Sequence, residues 1–130
     1  MICRLVAGLF LLVVANVSAF AQGLPAPSYW KNQRGSEMKI SAIDVRGNFV
    51  GAYINHAAGF QCQNTPYDLR GRAFRGHIVF VVVWTNSVAD CKSKTVWRGR
   101  VIGPTILTRW VLTGAGFKPL RGTDIFYQQP

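Results

Sequence analysis

The segment Ser93-Lys94-Thr95-Val96-Trp97-Arg98-Gly99-Arg100 alternates two kinds of side chain. Successive side chains of a β-strand point to opposite faces, so the hydroxyls and the indole share one face while the lysines, valine and arginines share the other. The charged face must lie in water. The opposite face then carries two hydroxyls beside a tryptophan, which suits a plain core poorly because a buried hydroxyl needs a hydrogen-bond partner. The segment therefore predicts a strand that lines a pocket.

Turn signals divide the rest of the chain into short segments of the same kind. Arg34-Gly35, Arg46-Gly47-Asn48 and Gly103-Pro104 are examples, and no stretch between such turns has a helical period. Alternation between the turns predicts about eight strands. They are expected near Trp30 and over residues 36–44, 48–55, 66–73, 76–86, 93–102, 105–113 and 121–128.

Consecutive short strands joined by tight turns predict an all-β fold. We expect an eight-stranded antiparallel up-and-down β-barrel, which at this strand number can close around one small ligand. An open sandwich of two sheets is the alternative. Parity along the strands gives the side chains expected to point inward: Met38, Ile40, Ala42, Phe49, Gly51, Tyr53, Asn55, Tyr67, Leu69, Gly71, Ile78, Phe80, Val82, Trp84, Ile106, Thr108, Trp110, Leu112, Leu120, Gly122, Asp124 and Phe126.

The first 21 residues have the pattern of a secretory signal peptide. Arg4 precedes an apolar run, and Ala19-Phe20-Ala21 supplies a small-residue cleavage pattern, so cleavage is expected near Ala21. A membrane anchor is the alternative, but Asn16 interrupts a run that is short of the roughly 18–20 apolar residues a spanning helix needs. The signal predicts a secreted or periplasmic protein. Residues 22–28 are expected to form a flexible arm, and residues 29–130 a single domain.

Cysteine usage fits an exported protein. Loss of the leader removes Cys3 and leaves Cys62 and Cys91, a pair that predicts a disulfide in an oxidising compartment. Two separate buried thiols are the alternative. A metal site is not expected, because a zinc ion needs more ligands than these cysteines and the distant His56 and His77 readily supply.

The surface is expected to be strongly basic and to carry one apolar stripe. The chain carries a net charge of +10, which falls to +9 when Arg4 leaves with the leader. Val79, Val81 and Val83 make the outward face of one strand as apolar as its inward face, and Leu107 and Val111 add to it. A covering loop is one explanation for this stripe. A second copy of the chain is the other, and we expect a homo-oligomer, more readily a dimer than a tetramer.

The inward polar residues gather at one end of the predicted barrel. An inward carboxylate such as Asp124 would be costly in an apolar site, so it requires N–H donors. Amide, hydroxyl and phenol groups beside aromatic walls can hold a carbonyl oxygen and exclude water. The set favours a flat, neutral, polar ligand. Its members are Asn32, Ser36, Tyr53, Asn55, Ser93, Thr95 and Asp124, with Trp84, Trp97 and Trp110.

These residues lie in motifs that resemble the avidin family, and most closely its bacterial short-chain, dimeric members. The opening motif is Trp30-Lys31-Asn32-Gln33-Arg34-Gly35-Ser36, and Ser93, Thr95 and Trp97 have the family's spacing. Further matching motifs follow in order: Gly51-Ala52-Tyr53, Trp84-Thr85-Asn86, Thr108-Arg109-Trp110 and Gly122-Thr123-Asp124-Ile125-Phe126. The resemblance covers nearly all of residues 29–130. Cys62-Gln63-Asn64 with Cys91 also resembles the dimeric subgroup, in which that pair is bridged.

The resemblance implies that the ligand is biotin, held without any cofactor. Asn32, Ser36 and Tyr53 would donate to its ureido oxygen, and Asp124 and Asn55 would accept from its ureido N–H groups. The remaining implied roles are contact with the ring sulfur by Thr95, aromatic walls from Trp84, Trp97 and Trp110, and carboxylate contacts from Ser93 and the 57–61 loop backbone. The implied site residues are Asn32, Ser36, Tyr53, Asn55, Ala57, Trp84, Ser93, Thr95, Trp97, Trp110, Leu112 and Asp124.

The chain departs from the family pattern at two places. Asn55 stands where a serine or threonine is common, although its amide oxygen can still accept a hydrogen bond. Tetrameric avidins borrow a further tryptophan from a neighbouring subunit, and here no tryptophan follows Trp110. Phe117 lies near that position. Phe117 would either replace that borrowed tryptophan weakly, or the place of the tryptophan would be empty, as in the dimeric relatives.

Two other classes of function remain as alternatives. The basic charge favours a cationic secreted barrel that binds envelope polyanions. A barrel that binds another small apolar ligand is kept beside it. Charge alone gives only nonspecific attraction, and the inward aromatics are not placed for base stacking, so no specific nucleic acid is expected. An enzyme is not expected either, because neither histidine lies in a nucleophile motif and Asp124 lacks a second inward carboxylate nearby.

Overall fold

The computed structural model describes residues 23–130 and forms a closed barrel of eight antiparallel strands in sequence order. Strand β1 pairs with β8 as well as with β2, so the sheet closes on itself. The predicted eight-stranded up-and-down barrel is confirmed. The strands are β1 (Ser28–Asn32), β2 (Glu37–Ile43), β3 (Asn48–Ile54), β4 (Pro66–Phe74), β5 (His77–Thr85), β6 (Asp90–Ile102), β7 (Thr105–Gly114) and β8 (Leu120–Gln129).

Every strand begins and ends within a few residues of its predicted position, and the largest difference is at β6. This strand starts at Asp90 rather than at residue 93, because Thr85 and Asp90 form one more pair beyond a register shift. The predicted leader, residues 1–21, lies outside the described residues. In the segment predicted as a flexible arm, Leu24 belongs to the buried core and Ser28 already forms part of β1, while Gly23 and residues 25–27 are exposed.

The core fills the barrel with the inward side chains of all eight strands. Its largest fully buried members include Trp30, Phe49, Tyr67, Phe80 and Phe126. The predicted inward face fails at Ala42, which is exposed. The register between β2 and β3 shifts between Ile40 and Ala42, so the face reverses and Ile43 packs against the core instead. An added residue in one strand of a pair has this effect on parity.

The two ends of the barrel differ. The loops 33–36, 55–65, 86–89 and 115–119 lie at one end, which we call the mouth. The short turns 44–47, 75–76 and 103–104 lie at the opposite end, together with the start of β1 and the end of β8. The two longest connections, 55–65 and 115–119, both lie at the mouth, which leaves that end able to hold a ligand.

The outer surface of β5 to β7 carries the predicted apolar residues. Val79, Val83 and Leu107 are exposed, and Val81 and Val111 are partly buried. The register places Val81 beside Val96 and Val96 beside Val111, which makes a continuous apolar row across three strands. Across residues 23–130, no helix has the length and apolar character needed to cross a membrane.

Candidate ligand-binding site

A cavity of about 210 Å³ opens at the mouth of the barrel. All twelve residues singled out from the sequence line it, and they come from six of the eight strands and from the loops 33–36 and 55–65. Seven further lining residues were not among those twelve: Arg34, Gly59, Phe60, Gln61, Cys91, Phe117 and Leu120. The cavity therefore combines the predicted polar group and aromatic walls with residues from the mouth loops.

Asp124 is the acceptor at the centre of this site. It is only 4% exposed, and both of its carboxylate oxygens accept hydrogen bonds. The indole Nε1 of Trp97 donates to Oδ2 at 2.8 Å, and Gln33 Nε2 donates to Oδ1 at 3.0 Å. The Arg34 guanidinium lies 3.5 Å from the same Oδ1. The requirement for N–H donors, inferred from the sequence, is met by these three groups.

Gln33 clasps the turn between β1 and β2 to strand β8. Its Nε2 also donates to the backbone oxygen of Thr123 at 3.0 Å, and its Oε1 accepts from the backbone N–H of Ile125 at 2.9 Å. Its side-chain amide thus bonds to the main chain on both sides of Asp124. This clasp fixes the position of the carboxylate relative to the mouth.

Asn32 shapes the same turn from inside. Its Oδ1 accepts from the backbone N–H groups of Arg34 at 3.0 Å and Ser36 at 2.9 Å, and its Nδ2 points to Tyr53 Oη at 3.3 Å. Gly35 adopts a φ of +82°, a left-handed conformation that side-chain-bearing residues rarely adopt. The turn is therefore rigid, and of the two Asn32 Nδ2 hydrogens only the one that meets Tyr53 has an acceptor among the described residues.

Ser36, Tyr53 and Asn55 form the polar side of the cavity. Ser36 Oγ accepts from the backbone N–H of His56 at 2.9 Å and donates to Asn55 Oδ1 at 3.4 Å. Burial, followed by the nearby charge of Asp124, raises the pKa of the Tyr53 phenol, which keeps its hydroxyl protonated and able to donate.

The amide oxygen of Asn55 is already engaged. Besides Ser36, the backbone N–H of Ala57 donates to it at 2.9 Å, while Asn55 Nδ2 donates to Gln61 O at 3.2 Å. A carbonyl oxygen has two lone pairs, so this atom has little capacity left for a ligand N–H unless the long bond to Ser36 breaks. In this structure Asn55 ties the ends of the 55–61 segment together.

Three tryptophans form the aromatic walls, and each is held by a specific contact. Trp84 Nε1 donates to Thr95 Oγ1 at 2.8 Å, which leaves the Thr95 hydroxyl proton free to point elsewhere. Trp97 stacks on Phe80 with ring centroids 4.9 Å apart. Trp110 lies over Gly122, where an added Cβ would come within 2.3 Å of the indole, so only glycine allows this close approach.

The loop 55–65 covers one side of the mouth. Phe60 meets Trp110 edge to face with ring centroids 6.0 Å apart, and the predicted Cys62–Cys91 disulfide is present and joins the loop to β6. His56 Nε2 lies 2.9 Å from Glu37 Oε2 and its Nδ1 lies 2.9 Å from Asn64 Oδ1. Covalent and polar links therefore hold this loop against the barrel.

Sequence reasoning missed the roles of Gln33, Arg34 and Phe60. The first two occupy the turn between Asn32 and Ser36, two residues that were singled out, and this proximity was the available signal. Phe60 is the large apolar residue in a loop otherwise rich in small and polar residues. Phe117 lines the cavity of its own chain. Within residues 23–130, no group of three or more His, Cys, Asp or Glu side chains is placed to hold a metal ion.

A closed eight-stranded barrel with one polar and aromatic cavity at its mouth defines a class of proteins that hold a small ligand. Comparison with known proteins identifies the family within that class. Residues 21–128 match the Avidin family. The chain belongs to the avidin family, and the resemblance inferred from its motifs is confirmed.

Individual relatives agree with this assignment. Afifavidin from Afifella pfennigii is 45% identical over 118 residues, which cover 84% of this chain and 73% of afifavidin. Among solved structures, apo shwanavidin superposes with a TM-score of 0.78 at 42% identity and covers 83% of this chain and 99% of its own. A rhizavidin–biotin complex has a TM-score of 0.74 at 41% identity, with 82% and 93% covered.

Proposed function

We propose that this protein binds biotin. The observation that carries the proposal is the buried Asp124 carboxylate, which lines the cavity from β8 together with three indoles, one of which donates to it. Its membership in the avidin family, and the solved biotin complex of its relative rhizavidin, supply the identity of the ligand.

The polar groups of the cavity match the two faces of a cyclic urea. In the proposed complex, Asn32, Ser36 and Tyr53 donate to the ureido oxygen, and Asp124 accepts from one ureido N–H. The Asn55 oxygen accepts from the other N–H only if it releases Ser36, whose hydroxyl then turns to the ligand. Such an exchange conserves the number of hydrogen bonds in a site that excludes water.

The outer part of the ligand would lie between the walls and the covering loop. Thr95 contacts the ring sulfur through its remaining hydroxyl proton, and Trp110, Phe60 and Leu112 surround the start of the aliphatic chain. Ser93 and the 57–61 backbone then meet the carboxylate. Aromatic rings surrounding an apolar ring and chain provide most of the buried surface in such a site.

Binding, rather than catalysis, is the activity that this site supports. Asp124 is the one carboxylate among the lining residues, and its oxygens face an indole, an amide and a guanidinium rather than a second acid. His56 turns its ring toward Glu37 and Asn64. A general acid–base pair or an activated nucleophile requires a proton acceptor within hydrogen-bond reach of its partner.

The test is titration calorimetry of the purified protein with biotin. We expect saturable binding of one biotin per chain, and Asp124→Ala is expected to weaken it by about 2–5 kcal/mol, because the ligand N–H and the Trp97 N–H lose their acceptor in a dry site. Asp68→Ala, which removes an exposed acid from the outside of β4, is the matched control and should bind as the wild type does. Absence of biotin binding by the wild-type protein would disprove the function.

We further propose export and self-association. Export rests on the signal-like residues 1–21, and the mass of the protein recovered from its producing cells should correspond to cleavage near Ala21. Self-association as a homodimer rests on the apolar row of Val81, Val96 and Val111. Two copies of one such face bury each other through a twofold axis.

A further inference from the structure

Arg34 stands at the mouth of the cavity in a fixed place. Its backbone N–H is bonded to Asn32 Oδ1, and the turn that carries it is clasped to β8 by the neighbouring Gln33. The side chain of Arg34 is 41% exposed, yet its Nε lies 3.5 Å from Asp124 Oδ1. The guanidinium therefore reaches inward from the rim to the carboxylate at the centre of the site.

The lining residues contain one cation and one anion. Arg34 is the only lysine, arginine or histidine among the described residues that line the cavity, and Asp124 is the only aspartate or glutamate. Together they make the lining electrically neutral. Without Arg34, the same cavity would hold one uncompensated negative charge with aromatic walls around it.

Both charges are felt across the cavity. Burial, followed by the charge of Asp124, raises the pKa of the Tyr53 phenol, while the hydroxyl of Ser36 and then the charge of Arg34 lower it. The two charges thus oppose each other at a hydroxyl that faces the ligand space. Charge–charge interactions are stronger in such a pocket than in bulk water, because the walls have a low dielectric constant.

We propose that Arg34 strengthens the preference of the site for a neutral cyclic urea over a cationic cyclic guanidinium of the same shape. The inference rests on the proposed biotin function. A neutral ureido group needs only an oriented acceptor from Asp124, which the ion pair leaves in place because a carboxylate offers about four lone-pair sites. A cationic head group would bring a second positive charge next to the Arg34 guanidinium, and it would be repelled.

The probes are biotin and 2-iminobiotin, whose head group is a cyclic guanidine and is cationic at neutral pH. Dissociation constants for both are measured by calorimetry at neutral pH and low salt, and their ratio is the readout. Arg34→Leu is expected to shrink the preference for biotin by roughly tenfold, the effect of one unit charge across a small, partly solvated pocket. Arg34→Lys keeps the charge and should keep most of the preference.

A matched control separates this effect from the loss of net charge. Arg46→Leu removes the same charge from the turn between β2 and β3, at the opposite end of the barrel, and should leave the ratio as in the wild type. An unchanged ratio in Arg34→Leu, or an equal fall in Arg34→Lys, would overturn the proposal. Failure of the wild-type protein to bind biotin would instead remove the proposed function, and this inference with it.

Discussion

At the scale of single residues, two tyrosines on neighbouring strands show how differently one hydroxyl can be used. Tyr53 on β3 and Tyr67 on β4 are directly opposite in the register, and both are buried. Tyr53 Oη accepts from Asn32 and faces the cavity. Tyr67 Oη, by contrast, is the only buried side-chain polar atom in residues 23–130 that has no hydrogen-bond partner. The first hydroxyl serves the site and the second does not.

Phenylalanine at these two positions should therefore have opposite effects. Tyr67→Phe removes a buried hydroxyl that has no partner, so the free energy of unfolding should stay equal or rise by about 1 kcal/mol. Tyr53→Phe should lower the free energy of unfolding by about 1 kcal/mol. It should also weaken the binding of biotin, since the variant lacks a donor to the ligand. Denaturant unfolding and biotin titration of the matched pair test this. A loss of more than about 1 kcal/mol in Tyr67→Phe would mean that its hydroxyl has an unseen partner.

On strands, parity alone assigns a side chain to the cavity face, whereas the places of the turn residues Gln33 and Arg34 could not be assigned from the sequence. Parity fixes which side of a strand a residue occupies, which is why Thr95, Trp97 and Asp124 could be assigned together. No such rule gives the direction of a turn side chain. The inward reach of Arg34 and the clasp made by Gln33 depend on β8, some 90 residues away in sequence.

At the scale of elements, the loop 55–65 is the part of the site with the most adjustable anchoring. His56 lies between Glu37 and Asn64, and both partners present oxygen atoms, so the arrangement fits a doubly protonated ring. The hydrogen bond that His56 donates to Glu37, followed by the one it donates to Asn64, raises the pKa of His56 above its ordinary value of 6.5. The link between the loop and β2 therefore depends on pH.

This loop should hold the ligand better at low pH. Because the pKa of His56 is raised in the folded state, its contribution is complete below about pH 6.5 and is lost as the pH rises through the raised value. The pair is partly exposed, so the effect is worth less than about 1 kcal/mol. Biotin should dissociate a few-fold faster at about pH 9 than at about pH 6.

His56→Ala should remove this pH dependence. The matched control is His77→Ala, at the opposite end of the barrel, which should keep it. Competition with excess unlabelled biotin gives the dissociation rate of each variant at each pH. The same pH slope in all three proteins would contradict the role of His56.

The disulfide is the second anchor of the same loop. Cys62 and Cys91 are 29 residues apart in sequence, and the bridge joins the loop to the start of β6. Replacing both cysteines with serine should lower the free energy of unfolding by about 3–4 kcal/mol, mainly by freeing the unfolded chain. It should also speed biotin dissociation more than it slows association, because the loop covers the bound ligand. Equal dissociation rates with and without the bridge would contradict the second expectation.

Elements were predicted to within a few residues, except where strand pairing overrides local pattern. In the sequence, the alternation of β2 continues through Ala42. No residue type in β2 marks the register shift between Ile40 and Ala42. The shift is set by how β2 pairs with β3. In the same way, the additional pair between Thr85 and Asp90 lengthens β6 beyond its alternating part.

At the scale of the whole molecule, the apolar row on β5, β6 and β7 is the surface through which we expect two barrels to form a dimer. Light scattering should give the wild-type protein twice the mass of one chain. Val81→Asp should yield monomers, since a twofold interface would bury two unpaired carboxylates, each costing several kcal/mol. Val50→Asp, on the outer face of β3, is the matched control and should remain dimeric. A wild-type mass of one chain would disprove the dimer.

The pairing of β1 with β8 has a practical consequence for attaching this molecule to other things. Tyr29 and Gln129 are direct partners in the register, so β1 begins beside the end of β8 at the pole farthest from the cavity. A cargo fused just before β1 or just after β8, or a tether to a solid support at either place, would extend away from the opening and leave it accessible. Joining the end of β8 to the start of β1 by a short linker and cutting a different connection would give a circularly permuted barrel with its opening unobstructed.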